Sequence, residues 1–234
     1  MNSRTVGMGR LISLLRRPDD LRYALEKGLG PFVRGVLWQL IRFRKPRLFF
    51  LGSNTKFVAA HNLRFEGRVS IGARCYIETS ADEPVVFSDG VTLRENAWVQ
   101  CRSGMNERGA GLELGRSVYV GPNAVIGVGG KITIGAGTQI GAGVSFVAES
   151  HEHHDGRYTG GVVTRKGIIV GKNCWFGNNV TILDGVEIGD NTVIGAGSIV
   201  TRPLPANCVA VGAPAQAIRN FDQNQSTSEE RPAV

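Results

Sequence analysis

The chain has 234 residues, of which 32 are glycine, about twice the usual glycine content of a globular protein. Hydrophobic residues make up 42% of the sequence, which excludes wholesale disorder. The four cysteines form no CxxC pair, which argues against a disulfide framework or a structural zinc site and suits a protein of the reducing cytoplasm. The net charge of +7 divides into +8 for residues 1–47 and −1 for residues 48–234. The basic segment is therefore expected to bind an anionic partner, either a membrane leaflet or nucleic acid.

The first predicted element is a basic N-terminal helical segment, residues 1–60. Pro31 is typical of a helix start, and the residues after it place apolar side chains on one helical face. That face comprises Val33, Val36, Leu37, Leu40 and Ile41, and it is flanked by Arg34, Arg42, Arg44, Lys45 and Arg47. One interpretation is a helix that caps the domain that follows; the other is an anchor for anionic lipid, with peripheral membrane contact through residues 31–47. Charges interrupt every apolar stretch, so neither a signal peptide nor a membrane-spanning helix is predicted.

A six-residue periodicity dominates the predicted main domain, residues 61–219. An aliphatic residue or Phe recurs at every sixth position, which we denote i. These positions are Ile71, Ile77, Phe87, Leu93, Val99, Leu114, Val120, Ile126, Ile134, Ile140, Phe146, Val170, Phe176, Ile182, Ile188, Ile194 and Val200. Gly or Asn often follows three residues later, as at Asn96, Gly137 and Asn173, and both accept a left-handed backbone. Short strands joined by tight corners are predicted, with i and i−2 facing inward.

The insertions in this pattern give its cross-section. The spacing departs from six only after a third repeat, following Ile77, Val99, Ile126 and Phe146. We therefore predict a mainly β protein, a triangular parallel solenoid of about six coils whose insertions all leave one corner. The two longest insertions, roughly residues 101–111 and 148–167, should then be neighbours in space.

The loop at residues 148–167 contains His151, His153 and His154, three of the four histidines in the chain. An imidazole can take up a proton near neutral pH, so this loop beside a rigid scaffold suggests general-base chemistry. A solvated polar loop and a metal site are the alternatives. Three histidines so close together suit a tetrahedral zinc site poorly without ligands from elsewhere, and we predict no metal site.

Two hexapeptide runs carry a resemblance to a known family: IGAGTQIGAGVSF, and VGKNCWFGNNVTILDGVEIGDNTVIGAGSIV with the segment that continues to Arg219. They resemble the left-handed parallel β-helix acyltransferases, in the branch of galactoside, maltose and surface-polysaccharide O-acetyltransferases. The resemblance covers about residues 65–219. It implies a left-handed coil, against the usual right-handed crossover, and transfer of acetyl from acetyl-CoA to a sugar hydroxyl in surface-polysaccharide biosynthesis.

The same resemblance implies the site residues. The family's catalytic histidine is the first of the loop, here His151, which would remove the proton from the acceptor hydroxyl as its oxygen attacks the thioester directly. Contacts to acetyl-CoA are implied for Trp175, Asn178, Ala196, Thr201, Arg202 and Arg219. Gln216 departs from the family pattern, which usually has Lys or Arg there. Glu149, Glu152 and a backbone carbonyl are the alternatives for the group that orients His151.

The predicted partners follow from surface pattern and resemblance together. The outward positions i−1 on the third side form a mainly apolar stripe: Tyr76, Trp98, Val125, Ser145, Thr181 and Ile199. A monomer rarely exposes such a stripe, and the resemblance implies a homotrimer with each active site between two subunits. We expect a small saccharide or nucleotide-sugar acceptor, no nucleic acid, and a location in the cytoplasm or at the inner membrane face.

The C-terminal residues and the alternative functions of the fold give two further expectations. Residues 220–234 are polar and predict a disordered tail. A γ-type carbonic anhydrase, which would bind a metal through several histidines, and a non-catalytic hexapeptide scaffold are the alternative functions for the same fold.

Overall fold

The computed structural model describes residues 19, 22–23, 25–154 and 157–221, and its core is enclosed by three β-sheets. Sheet A contains β1 (Phe49–Leu51), β4 (Val69–Ile71), β7 (Thr92–Leu93), β12 (Tyr119–Val120), β15 (Gln139–Ile140), β20 (Trp175–Phe176), β23 (Val193–Ile194), β25 (Cys208–Gly212) and β26 (Ala215–Asn220). Sheet B contains β2 (Lys56–Val58), β5 (Tyr76–Glu78), β8 (Trp98–Gln100), β13 (Val125–Gly127), β16 (Ser145–Val147), β21 (Thr181–Leu183) and β24 (Ile199–Val200). Sheet C contains β3 (Leu63–Glu66), β6 (Val85–Ser88), β11 (Leu112–Leu114), β14 (Ile132–Ile134), β19 (Ile168–Val170) and β22 (Glu187–Ile188).

The chain visits sheets A, B and C in turn, so each circuit is one coil of a three-sided parallel β-helix. Within a sheet every strand pairs with the equivalent strand of the next coil; Ile134 lies between Leu114 and Val170, for example. Six coils are complete, and a seventh consists of β23, β24 and a single bridge from Leu204 to Ile188. Among the described strands of sheets A, B and C, only the last pair of sheet A, β25 with β26, is antiparallel. The prediction of about six triangular coils is confirmed.

The hydrophobic periodicity fills the interior as predicted. All 17 positions denoted i have side chains at most 2% exposed. The corner residues Asn96, Gly137 and Asn173 have φ of 61°, 76° and 55°, in the left-handed region that Gly and Asn tolerate best. Aliphatic residues therefore line the core, while Gly and Asn turn the chain at its corners.

The first coil was not predicted from the sequence. Phe49, Phe57 and Phe65 point into it at a spacing of eight rather than six, and β1 and β2 pair with β4 and β5. The predicted boundary between residues 60 and 61 therefore falls inside a coil. Longer corners and larger side chains conceal this coil from a search for a six-residue period.

An α-helix, α1 (Gly30–Ile41), closes the open end of this coil after a π-helical turn at Leu25–Leu29. Its buried residues are Pro31, Gly35, Trp38 and Gln39. The Trp38 ring packs on Phe57 and Phe49, with centroid separations of 4.7 and 5.5 Å. A side chain at Gly35 would collide with the Phe49 carbonyl, which explains the glycine there. The apolar face identified from the sequence is the opposite one, and it points outward.

All four insertions connect sheet B to sheet C, so they leave one corner, as predicted. The two longest contain hairpins: β9 (Arg102–Gly104) with β10 (Glu107–Arg108), and β17 (Ser150–His154) with β18 (Arg157–Thr164). Residues 1–18 and most of the predicted tail, 222–234, lie outside the described residues. In the part of the chain that is described, no helix is long and apolar enough to span a membrane.

Candidate active site

The catalytic histidine implied by the resemblance lies at the corner between sheets B and C. The chain leaves the core at the end of β16, forms the β17–β18 hairpin, and returns at β19. His151 is the second residue of β17, its backbone lies opposite Val163, and its side chain is exposed. The hairpin therefore presents this imidazole to solvent beside a rigid wall. The side chains of Glu152, His153 and His154 lie outside the described part of the structure.

A single arginine connects the two long insertions. The Arg165 guanidinium donates from Nε to Glu149 Oε2 and from Nη2 to Glu107 Oε2, both at 2.9 Å. Glu149 begins the histidine loop, Arg165 ends it, and Glu107 belongs to the other hairpin. The predicted proximity of the two insertions is confirmed. The role of Arg165 could not be predicted from the sequence, because a loop arginine has no periodic signal that reveals its partners.

A second residue that sequence analysis missed holds the returning end of the loop. Asp184 lies at the same corner one coil further along, and its carboxylate accepts hydrogen bonds from the Gly167 and Lys166 backbone N–H groups at 2.8 and 3.0 Å. A carboxylate that accepts two backbone hydrogen bonds fixes the position where β19 begins. Together with the Arg165 ion pairs, this contact holds the base of the histidine loop in place.

A groove of about 190 Å³ lies beside the loop. Its lining includes Trp98, Gln100, Arg102, Val125 and Glu149, all at or near the ends of sheet B strands. Trp98 donates from Nε1 to Gln100 Oε1 at 2.9 Å, and its ring stacks on Tyr76 with a centroid separation of 4.2 Å. The groove thus combines an aromatic wall with polar groups, which is the chemistry of many small-ligand sites.

Two of the residues implied for acetyl-CoA contact meet at a different corner, between sheets A and B. Asn178 and Ala196 occupy this corner in successive coils, where the Gly197 N–H donates to the Asn178 carbonyl at 2.9 Å. The Asn178 side chain also accepts from the Ala142 N–H at 2.9 Å. The backbones approach so closely that a Cβ at Gly177 would lie 2.5 Å from the Ala196 nitrogen. The result is a smooth corner of small residues along which a narrow ligand could lie.

Trp175 and Arg219 lie on the outer face of sheet A. Trp175 is 51% exposed and pairs with Val193 of the next strand. Val193 in turn pairs with Val209, and Val209 lies opposite Arg219 in the last hairpin. Three strand spacings separate the two residues, or about 15 Å. The Arg219 guanidinium lies 5.7 Å from the Phe221 ring centroid. Gln216, the departure from the family pattern, pairs with Val211 in the same hairpin.

The implied donor contacts do not all gather around His151 within one copy of the chain. Thr201 and Arg202 directly follow β24 and are exposed at the corner between sheets B and C, the corner from which the histidine loop leaves. Asn178 and Ala196 lie at the other edge of sheet B, and Trp175 and Arg219 lie on sheet A. The width of sheet B therefore separates the histidine corner from most of the donor contacts.

The cysteines do not provide a nucleophile at this site. All four are buried, and burial raises the pKa of the Cys101 thiol to about 12 and raises the pKa values of Cys75 and Cys174. A thiol in this state holds its proton at neutral pH, and the thiolate is the reactive form. Among the described residues, no group of three His, Cys, Asp or Glu side chains could hold a metal ion.

Comparison with known proteins places the chain in a family. The family "Bacterial transferase hexapeptide (six repeats)" matches residues 167–202. The galactoside O-acetyltransferase of Escherichia coli K12 is 37% identical over 146 residues, which cover 62% of this chain and 71% of that protein. The chain belongs to the hexapeptide-repeat acetyltransferase family. Membership of this family confirms the predicted enzyme class, an acyltransferase. It also supports the left-handed coil that the resemblance implies.

Two solved structures of acetyltransferases show a looser likeness. A hexapeptide-repeat acetyltransferase of Vibrio cholerae, solved with acetyl coenzyme A, is 21% identical, covers 94% of this chain and 92% of its own, and has a TM-score of 0.44. The polySia-specific acetyltransferase NeuO is 24% identical, covers 73% of this chain and 84% of its own, and has a TM-score of 0.47. The family assignment rests on the galactoside O-acetyltransferase and not on these two structures.

Proposed function

We propose that this hexapeptide-repeat protein is an O-acetyltransferase that transfers acetyl from acetyl-CoA to a sugar hydroxyl. The observation that carries the proposal is the exposed His151 on a hairpin whose base is fixed by Arg165 and Asp184. A general base must be held in place to abstract a proton at the right moment, and these contacts provide that support. Membership of the family supplies the acetyl-transfer chemistry, and the name of the Escherichia coli relative suggests a saccharide acceptor.

The reaction is a direct transfer. His151 takes the proton from the acceptor hydroxyl while the oxygen attacks the thioester carbonyl; the new ester bond forms and the carbon–sulfur bond breaks. The proton on the imidazole then passes to the leaving thiolate of coenzyme A, so the histidine returns to its starting state. The burial of all four cysteines, with the raised pKa values of Cys75, Cys101 and Cys174, supports this route over one through an acyl-enzyme.

The donor lies along the corner formed by Asn178 and Ala196, beside the exposed Trp175. Small corner residues leave room for a narrow pantetheine arm, and the Trp175 ring flanks it. Arg219 of the same copy supplies a cation for the phosphates, because guanidinium groups pair well with phosphate oxygens. Arg202, with Thr201 beside it, lies at the histidine corner and would supply its cation from the neighbouring copy. Because position 216 is Gln where the family usually has Lys or Arg, this chain has one cation fewer for the phosphates.

The separation of the two corners supports a homotrimer in which each active site lies between two copies. Within one copy, sheet B lies between His151 and the corner at Asn178, so a neighbouring copy is needed to bring them together. The outward residues of sheet B include Trp98, Val125 and Ile199, which are 45%, 42% and 39% exposed in the single chain. Packing against a second copy would cover this apolar stripe.

The acceptor class is a small saccharide or a nucleotide sugar in the synthesis of a surface polysaccharide, and the reaction takes place in the cytoplasm. The groove at Trp98, Gln100 and Arg102 supports a sugar, because an aromatic wall with polar neighbours suits a ring that has both apolar faces and hydroxyls.

Release of free thiol from acetyl-CoA tests the proposal, with nucleotide sugars, lipid-linked saccharides and small glycosides as acceptors. We expect thiol release that depends on the acceptor, and the His151→Ala variant should be slower by about 10²- to 10⁴-fold. His61→Ala is the matched control, because this exposed histidine lies in the first coil, away from the loop. Full activity in His151→Ala would show that the catalytic assignment is wrong.

The same preparations separate the alternative functions. A γ-type carbonic anhydrase would hold a stoichiometric metal ion by elemental analysis and hydrate carbon dioxide without acetyl-CoA. A non-catalytic scaffold would release no thiol with any acceptor, and the His151→Ala variant would then behave as the unaltered chain.

A further inference from the structure

Helix α1 has two faces with opposite environments. The face with Trp38 is buried against the first coil, whereas Val33, Leu37, Leu40 and Ile41 on the other face are 46–72% exposed. The only charged residue within α1 is Arg34, which donates to the Leu51 carbonyl at 2.8 Å. Helix faces that meet water normally carry polar and charged side chains. The outward face of α1 has the composition of a buried surface.

Exposed apolar residues continue beyond both ends of the helix. Leu25 and Leu29 precede it, and Phe43 and Leu48 follow it, with the Phe43 side chain fully exposed. We call the set Leu25, Leu29, Val33, Leu37, Leu40, Ile41, Phe43 and Leu48 the outer stripe. Eight exposed large apolar side chains within residues 25–48 are unusual for a surface that meets only water, and they indicate an interaction site.

The surroundings of the outer stripe are strongly basic. Residues 25–48, which include the outer stripe, contain six Arg and Lys and one acidic residue, Glu26. A groove of about 610 Å³ at the C-terminal end of α1 is lined by Arg44, Lys45, Arg47, His61 and Arg64, and among the described residues of its lining Glu66 is the one acidic residue. The Arg42 guanidinium is held 4.5 Å above the Trp38 ring, which keeps its charge close to the helix. Apolar and cationic groups thus lie side by side on one end of the molecule.

We propose that the outer stripe and this basic groove form a docking surface for an anionic lipid bilayer. The stripe enters the boundary between headgroups and acyl chains, while the cations pair with lipid phosphates, which is how amphipathic helices bind at a membrane surface. A second copy of the chain fits less well, because two such surfaces would bring their cations together. Nucleic acid would use the cations and leave the aliphatic side chains in water.

Docking in this orientation has a geometric consequence. Trp38 covers the open end of the first coil, so the outer stripe points away from the stack of coils. The histidine loop leaves the fifth coil, four coil spacings further along, or about 20 Å. The helix itself adds about 10 Å, so the bilayer would lie about 30 Å beneath the catalytic corner. Docking is separate from acetyl transfer, and it is measured without acetyl-CoA or acceptor.

Vesicle flotation with the full chain tests the proposal. We expect binding to vesicles that contain phosphatidylglycerol, weak binding to phosphatidylcholine alone, and a decrease as salt rises. Leu37→Ser combined with Ile41→Ser should weaken binding by about tenfold or more. Lys45→Ala combined with Arg64→Ala should weaken it by about fivefold for each cation removed. The control pair Ile169→Ser and Ile218→Ser, which are also exposed but lie elsewhere, should bind as the unaltered chain.

A labelled variant gives a second measurement, which does not depend on a loss of vesicle binding. All four native cysteines are buried, so a thiol dye attaches selectively to Phe43→Cys or to the control Met105→Cys, which lies at 86% exposure in the other hairpin. We expect an environment-sensitive dye at position 43 to shift to the blue on phosphatidylglycerol vesicles, and the dye at position 105 to remain unchanged.

Several results would overturn the proposal. These are equal binding to neutral and anionic vesicles, unchanged binding of the Leu37 and Ile41 double variant, or no dye shift at position 43. A change of oligomeric state in that double variant would assign the surface to a second copy of the chain. Binding to an oligonucleotide duplex that the same double variant leaves intact, without vesicle binding, would assign the cations to nucleic acid.

Discussion

The walls of the β-helix and the corner between sheets B and C are specified in different ways. In the walls, a residue's environment follows from its place in a six-residue repeat, and one rule covers every coil. At the corner, the chain is held by individual contacts such as Arg165 with Glu107 and Glu149, which occur once. The repeat thus provides a rigid frame, and one of the insertions that interrupt it contains the proposed catalytic histidine, His151.

Because the walls of the β-helix contain the buried core and the corner does not, substitutions at core positions in the walls should lower the free energy of unfolding most. Ile140→Ala should lower the free energy of unfolding by about 2–5 kcal/mol, because Ile140 is 1% exposed and the substitution leaves a cavity. Gln139→Ala, in the same two-residue strand but with its side chain outside, should change it by less than about 0.5 kcal/mol. Denaturant unfolding measures both. Equal losses for the two variants would contradict the inward and outward assignment.

The corner should respond in activity more than in stability. Arg165→Met removes both ion pairs that join the loops, and misplacement of His151 should reduce kcat about 10- to 100-fold. The matched control is Lys131→Met, because Lys131 also bridges two carboxylates, Glu83 and Glu113, each at 2.8 Å. Both variants should lose no more than about 1 kcal/mol of stability. A similar kcat for the two variants would show that Arg165 does not position the loop.

The carboxylate of Glu95, at the corner between β7 and β8, should have a small effect on stability. Hydrogen bonds from Lys27 and then Arg94 lower the pKa of Glu95 from 4.5 to about 2. The charged carboxylate therefore stabilises the fold above pH 4.5, and this contribution is lost as the pH falls towards 2. Glu95→Gln should be less stable than the unaltered chain by under about 1 kcal/mol at neutral pH, since the pair is partly solvated.

Thermal unfolding from neutral to acidic pH checks this prediction. The difference between Glu95→Gln and the unaltered chain should shrink as the pH falls through the acidic range. A difference that stays constant with pH would mean that the variant acts through packing and not through charge.

The sequence was sufficient to predict the walls because burial repeats. The 17 inward positions of the six-residue repeat, the corner glycines and asparagines, and the single corner of the insertions follow from spacing alone. The first coil was missed, because Phe49, Phe57 and Phe65 stand eight residues apart. The buried face of α1 was missed for a related reason, since Gly35 and Gln39 have no hydrophobic signal although both are buried.

The site was only partly predictable. Resemblance to the family directed attention to His151, but neither Arg165 nor Asp184 belongs to a repeat, and their partners lie up to 58 residues away. Ion pairs between loops depend on how far each loop extends from the frame, which the sequence does not encode in any regular pattern. The division of the implied donor contacts between two corners and the face of sheet A also required the three-dimensional structure.

The central claim is that one active site joins the His151 corner of one copy to the Asn178 and Ala196 corner of another. Co-expression of His151→Ala with Ala196→Tyr, followed by purification of the mixed oligomers, tests it most directly. Each variant alone should be inactive, because the first lacks the base and the second blocks the donor corner. In a mixed trimer one interface in three keeps both intact corners, so acetyl transfer should return to about a third of the unaltered level. Mixed oligomers no more active than either variant alone would contradict the account.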